Sequence, residues 1–156
     1  MPRTSQFTRT GLVLVTDVWI RANGQPIPQG SKVAGKTSSG RLFVRDANPG
    51  LKTWRENVAQ AAWRTMNERD FIIDPLQGPV QLHVWFYFEK PKSNKTTRPT
   101  SKLVGDLDKH LRSICDALTD GGAYDDDSQV CSISGEKLWA DEFTQPGVFI
   151  HLSVLK

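Results

Sequence analysis

Asp106-Leu107-Asp108 and Asp125-Asp126-Asp127 are the residues of this chain whose type and spacing could do chemistry. Carboxylates gathered from two places make a hard oxygen donor set, which suits Mg2+ or Mn2+ rather than zinc, and magnesium in turn holds and polarises phosphates. Each group also has a purely structural reading. Asp106 stands where a helix N-cap is expected. Asp108 falls in the first turn, where the helix dipole favours a negative charge by about 0.3–1 kcal/mol. Leu107 between them is apolar and expected to pack inward, so both acids can project to one solvent side. The run of three acids can be a solvated turn, although adjacent carboxylates repel one another unless water or a cation screens them. A 12-residue helix rises about 18 Å, and a return loop after it could bring Asp127 back to the level of Asp108.

Other chemistries fail on inspection. An EF-hand loop beginning at Asp125 would carry Glu136 at its twelfth position but Val130 where the sixth must be glycine. There is no GxGxxG, HExxH or GxSxG pattern, and no nucleotide cofactor is expected. His83, His110 and His151 are scattered, and two of them sit on expected strands. Cys115 and Cys131 cannot build a disulfide framework or a four-ligand zinc site and are read as reduced thiols.

The elements that must hold these acids follow from periodicity. Leu12 to Ala22 reads as a first strand. Asn23 to Gly50, with five glycines and three prolines, reads as mostly loop with a short extended piece at Leu42 to Val44. Asn48-Pro49-Gly50 opens a helix expected to run to about Arg69, with Trp54, Val58, Ala61, Ala62 and Thr65-Met66 as its buried stripe. Val80 to Phe88 alternates cleanly as a strand with one aliphatic face. Glu89 to Ser101 has no apolar residue and reads as an exposed, flexible loop. A second helix is expected from Leu107 to Leu118, with Leu107, Leu111, Ile114, Cys115 and Leu118 inward, followed by a Gly/Asp turn. Two strands close the chain, Gln129 to Trp139 and Val148 to Leu155. The order β-α-β-α-β-β predicts an α+β fold, one mixed sheet with helices packed on it, in a single domain over residues 1–156 with a flexible arm at residues 1–10. Trp19, Trp54, Trp63, Trp85 and Trp139 are read as core or dimer contacts rather than base-stacking platforms.

Charge divides the chain in a way that matches the acids. Residues 1–102 carry 16 Lys and Arg against 7 Asp and Glu, whereas residues 103–156 carry 4 against 10, seven of the acids lying between Asp106 and Asp127. A basic body around a compact acidic cluster suits a protein that attracts phosphates and holds a cation. The basic loop of residues 89–103 adds Lys90, Lys92, Lys95, Arg98 and Lys102, five cations within thirteen residues leading to the acid pair. No stretch of 18 uncharged apolar residues occurs and Met1 to Arg9 has no signal-peptide core, so neither a membrane span nor export is expected.

The segment Gly105 to Val130, GDLDKHLRSICDALTDGGAYDDDSQV, resembles the signature of the RusA family of Holliday junction resolvases: a D-x-D-N-x-x-K run, then D-A-L, a glycine-containing turn, an aromatic and D-D-x-Q-V. Asp106 and Asp108 match the paired acids, Asp116-Ala117-Leu118 the helix end, Tyr124 the aromatic, and Asp126, Asp127, Gln129 and Val130 the closing run. Two positions depart: Lys109 replaces the family's Asn and Arg112 its catalytic lysine. Arginine keeps the charge as a non-titrating bidentate fork, which suits phosphate stabilisation rather than proton donation. The resemblance implies a homodimeric, Mg2+-dependent endonuclease, with Mn2+ able to substitute, that places symmetric nicks across a four-way DNA junction. In that reading Asp106, Asp108 and Asp127 ligate the metal, with Asp126 as a fourth ligand or a support behind them. Arg112 stabilises the phosphate, while Lys90, Lys92, Lys95, Arg98, Lys102 and Lys109 bind DNA. For Arg112 an ion pair with Asp108 or Asp116, worth about 0.3–0.5 kcal/mol, is a compatible structural role. The implied place of action is the cytoplasm, at the nucleoid of a bacterial cell or phage host. The alternatives left open are another branched-DNA nuclease, acting on flaps or Y-forks, and a non-catalytic junction-binding protein.

Overall fold

The computed structural model describes residues 15–30, 32–46, 48–68 and 71–156. The expected arm at residues 1–10, the start of the first strand at Leu12 and the helix end at Arg69 lie outside the described residues. Among these residues eight strands and two α-helices follow in order: β1 (Asp17–Asn23), β2 (Lys32–Lys36), β3 (Leu42–Asp46), α1 (Leu51–Met66), β4 (Asn67–Glu68), β5 (Phe71–Ile72), β6 (Val80–Phe88), α2 (Leu107–Asp120), β7 (Val130–Trp139) and β8 (Gly147–Val154). The main sheet has the order β1-β8-β6-β7. β8 pairs antiparallel with β1 and β6, and β6 pairs parallel with β7. The fold is the expected α+β mixed sheet, and α2 is the crossover that a parallel β6–β7 pair requires.

The alternation in β6 decides how the sheet is covered. Val80, Leu82, Val84, Phe86 and Phe88 are buried, as are Val18, Ile20 and Ala22 of β1 and Val148, Ile150 and Leu152 of β8. In register, Ile20, Ile150, Val84 and Gly135 form one row across this face. At Gly135 a Cβ would come within 2.9 Å of the Leu111 side chain, so glycine there lets α2 lie directly on β7. α1 presents Leu51, Trp54, Val58, Ala62 and Met66 to the same core. The inner stripe of α2 is turned from the expected one: His110, Ser113, Ile114, Ala117 and Leu118 are buried, while Leu107, Leu111 and Cys115 pack only partly against the core. Arg55 of α1 joins the helices by reaching Asp116 at 3.9 Å and Asp120 at 3.2 Å.

Neither helix covers the other face of the sheet. There Trp19 and Trp85 stack at 5.9 Å, His151 lies on Trp19 at 4.2 Å and His83 on Trp85 at 3.9 Å. Of the tryptophans expected to be core or dimer contacts, Trp54 is core, and Trp63 on α1 is 58% exposed. Two expectations about the loops are corrected. Residues 32–46, read mainly as loop, form the β2–β3 hairpin, in which the Phe43 ring lies against Gly35 so closely that a Cβ would meet it at 2.6 Å. The loop after β6 is pinned rather than flexible. Asn94 Oδ1 accepts from the Thr96 backbone at 2.8 Å, the Trp139 indole donates to Thr96 O at 2.9 Å, and Arg98 pairs with Glu136 at 3.2 Å.

Candidate active site

The approach to α2 is held through Ser101, Val104 and Gly105. Val104 N donates to Ser101 O at 3.1 Å, and Lys137 Nζ donates to Gly105 O at 3.0 Å. The His110 ring meets Val104 O at 2.6 Å; since a carbonyl only accepts, Nε2 carries the proton. His110 is fully buried against Phe86 and Phe88, its Nδ1 has no partner, and burial pushes its pKa down to about 4, so the ring is neutral. Gly105 has φ +91°, and a Cβ there would stand 2.6 Å from Pro28 Cγ, so the chain can approach the residue 24–30 loop only because this position is glycine. Gln29 N completes the clasp by donating to Lys109 O at 3.1 Å.

Asp106 and Asp108 are therefore presented from a rigid start. Asp106 occupies the N-cap position with extended backbone, yet its side chain makes no capping bond. Asp108 is exposed in the first turn. Among the described residues neither carboxylate has a hydrogen bond or an ion pair. Arg112, one turn after Asp108, is likewise exposed and makes no ion pair with Asp108 or Asp116 there; Asp116 is turned to Arg55 instead. Helix capping thus does not account for the Asp106 carboxylate.

The second acidic group is mostly occupied with structure. Residues Asp127–Gln129 form a 3-10 turn closed by a capping box: Asp126 Oδ1 accepts from Ser128 N at 2.8 Å, and Gln129 Oε1 accepts from Asp126 N at 3.1 Å and Asp125 N at 2.9 Å. Hydrogen bonds from Ser128 hold the Asp126 carboxyl below its usual range. Gln129 Nε2 fastens the turn to Leu76 O at 2.8 Å and Gly78 O at 3.0 Å, and Gln77 donates to Asp125 at 2.9 Å. Asp127 is exposed, and its charge reaches Cys115 and Tyr124. The Tyr124 hydroxyl donates to Cys115 O at 2.9 Å, which sets the start of the returning turn beside the third turn of α2, seven residues or about 10 Å along the helix from Asp108. Among the described residues no three His, Cys, Asp or Glu side chains stand close enough to hold a metal ion. Gathering three carboxylates costs electrostatic energy that a divalent cation would offset. The free donors, Asp106, Asp108 and Asp127, are all carboxylate oxygens, the ligand type Mg2+ takes.

Of the expected DNA-binding cations, Lys90, Lys92, Lys95 and Lys102 are exposed and make no hydrogen bond or ion pair among the described residues, whereas Arg98 is tied to Glu136 and to Lys137 O. Lys109 and Lys102 line a cleft of about 600 Å³ that begins at Asp106. Sequence reasoning missed His110, Arg55 and the fastening role of Gln129. His110 could have been found, since it lies three residues after Leu107 and four before Ile114 on the inward side of α2.

The two cysteines are free, and burial pushes the Cys115 thiol up to about 11, which makes it inert. Among the described residues no helix is long and apolar enough to cross a membrane. No curated protein matches the chain. The family model described as Endodeoxyribonuclease RusA matches residues 23–153, from the end of β1 almost to the end of β8, and so takes in both acidic groups, both helices and strands β6 and β7. With that span matched, the chain belongs to the RusA endodeoxyribonuclease family, a family of enzymes that cut DNA internally.

Proposed function

We propose that this protein is a Mg2+-dependent endonuclease that resolves four-way DNA junctions by paired, symmetric nicks, working as a homodimer. The observation that carries the reading is the pair of unengaged carboxylates, Asp106 and Asp108, on a rigidly held helix start within a chain of the RusA family. Asp106, Asp108 and Asp127 would hold the ion, and Asp126 orders the turn that presents Asp127. A magnesium ion bound there supplies polarisation of the scissile phosphate and a bound water of lowered pKa. Arg112 offers a fixed positive fork, one turn from Asp108, to the charge that develops on the phosphate. Lys90, Lys92, Lys95, Lys102 and Lys109 supply sequence-independent phosphate contacts that set register on the DNA.

Two nicks on opposite strands need two acid groups, which supports a two-fold dimer with both groups facing one DNA surface. The uncovered face of stacked Trp19, Trp85, His83 and His151 supports self-association, since aromatic surfaces are characteristic of interface cores. The reading is tested by comparing cleavage of a mobile four-way junction, a Y-fork and a linear duplex in Mg2+, with sedimentation of the junction complex. Preferential, paired nicking of the junction by a dimer is expected. Equal or better cutting of the Y-fork would make the protein a general branch nuclease, and binding without nicking would make it a non-catalytic DNA-binding protein.

A further inference from the structure

Leu103 is 97% exposed, more than any other large apolar side chain among the described residues. A single exposed leucine is ordinary on a protein surface. Leu103 is set apart by what holds it and by what surrounds it. The next residue, Val104, is fixed through both its N–H, on Ser101 O at 3.1 Å, and its carbonyl, on the buried His110 ring at 2.6 Å. Gly105 is fixed by Lys137 at 3.0 Å and by its close approach to Pro28. An apolar side chain is thus displayed to solvent on a turn that cannot fold it back.

Its surroundings carry the chemistry of nucleic-acid contact. Lys102 precedes it, exposed, and Asp106 follows three residues later. Leu103 stands on the lip of the 600 Å³ cleft, whose walls are Pro26, Ile27 and Pro28 on one side and Val104 and Gly105 on the other. That volume lies within the range, about 300–1,000 Å³, in which proteins hold small organic ligands. Lys102 and Lys109 place positive charge at its rim, and the amide residues Gln25 and Asn48 also line it. An apolar tip, a cleft with apolar walls and flanking cations match one occupant best: a nucleobase whose phosphates lie on the lysines.

We propose that Leu103 is a wedge that enters the base stack at the branch point of the DNA substrate, and that the adjoining cleft receives the base it displaces. Apolar side chains inserted between base steps unstack and kink DNA in this way. At a branch point stacking is already interrupted, so insertion costs less there than within a continuous duplex. The wedge therefore gives preference for branched structure without reading a base edge, and it sets the scissile phosphate against Asp106, the acid at the end of the cleft. This inference rests on the reading that the substrate is branched DNA.

The test uses the full-length protein and four-way junctions carrying 2-aminopurine at a branch-point position or in mid-arm, with binding followed in EDTA and nicking in Mg2+. The wild type is expected to raise branch-point fluorescence on binding and leave the mid-arm probe unchanged. Leu103→Ala, at a fully exposed site that does not touch the core, is expected to lose that rise. Its affinity should fall by less than about tenfold, because phosphate contacts supply most of it. Leu103→Phe, which keeps an insertable apolar side chain, is expected to keep the rise. If the wild type nicks the junction while Leu103→Ala shows the same fluorescence rise, or if the wild type shows no rise, the wedge is overturned and the junction reading stands. If the wild type neither binds nor nicks branched DNA in preference to duplex, both fall together.

Discussion

The two acidic groups differ in what their carboxylates already do. At Asp125 to Gln129 the charges and amides bond to one another and to the 76–78 segment, so most of the group's hydrogen-bonding capacity is used to shape a turn. At Asp106 and Asp108 the local backbone is held by other residues, Ser101, His110 and Lys137, and neither carboxylate has a hydrogen bond or ion pair among the described residues. Residue type alone does not separate a structural aspartate from a chemical one; the presence of a partner does. By that criterion Asp106, Asp108 and Asp127 stand apart from Asp125 and Asp126, each of which has one carboxylate oxygen committed to the turn.

The largest expected effects test that division directly. Asp108→Asn removes a charge that the fold does not use, so the unfolding transition should stay in place. Nicking in Mg2+ should fall at least about a hundredfold, as expected when several kcal/mol of charge stabilisation are lost. Junction binding should be unchanged or slightly tighter, because one carboxylate facing the DNA is gone. Asp127→Asn should behave alike although it stands on the other group. A gel-based nicking assay alongside thermal unfolding decides the matter: wild-type nicking by either variant returns these acids to a helix-start and turn role.

Variants in the engaged part of the turn should show the reverse pattern, loss of stability with chemistry spared. Gln129→Ala removes an acceptor for two backbone N–H groups and a donor to two carbonyls, a loss of about 2 kcal/mol. In a chain of this size that lowers Tm by about 4–8 °C. Asp126→Ala removes only the cap on Ser128 and should lower Tm by about 2–4 °C. In both, nicking measured well below the transition should stay within about tenfold of wild type, the cost of a slightly misplaced Asp127. A hundredfold loss with Asp126→Ala would move Asp126 from the turn into the metal site and break the comparison.

How far the sequence could carry this division varies with the kind of signal. Alternation in Val80 to Phe88 and the 3.6 period of Leu107 to Leu118 each reflect one dominant physical demand, a buried face, and both elements appear where expected. The β2–β3 hairpin escaped because Lys-Val-Ala-Gly-Lys has few strand formers; its shape comes from the Phe43 ring lying over Gly35, a contact across the hairpin. The α2 stripe was misplaced because a polar residue, His110, takes the central buried position, stabilised by a carbonyl six residues earlier. At the site, the acids were legible as a motif. The distinction between them was not, because it depends on partners such as Gln77 and Leu76, which lie about fifty residues away in the chain.

The smallest expected effect extends the contrast to cations. Lys95 is exposed and untied, whereas Arg98 spends its guanidinium on Glu136 at 3.2 Å and on Lys137 O at 3.3 Å. The slope of log K against log salt counts phosphates neutralised, about 0.9 per contact on duplex DNA. Lys95→Ala should therefore lower the slope by about one per bound subunit, across all junction sequences. Arg98→Ala also removes one positive charge, but one that Glu136 already balances, so it should weaken binding through the exposed carboxylate while leaving the slope nearly unchanged. Glu136→Gln makes the complementary change: it releases Arg98, and the slope should rise by about one. An exposed pair of this kind is worth only about 0–1 kcal/mol, so a nearby phosphate could take Arg98 from Glu136. Titrations from low to moderate salt separate the two cases. Equal slope losses for Lys95→Ala and Arg98→Ala, with no gain for Glu136→Gln, would mean that DNA breaks the pair and that the tied-versus-free distinction holds for the carboxylates alone.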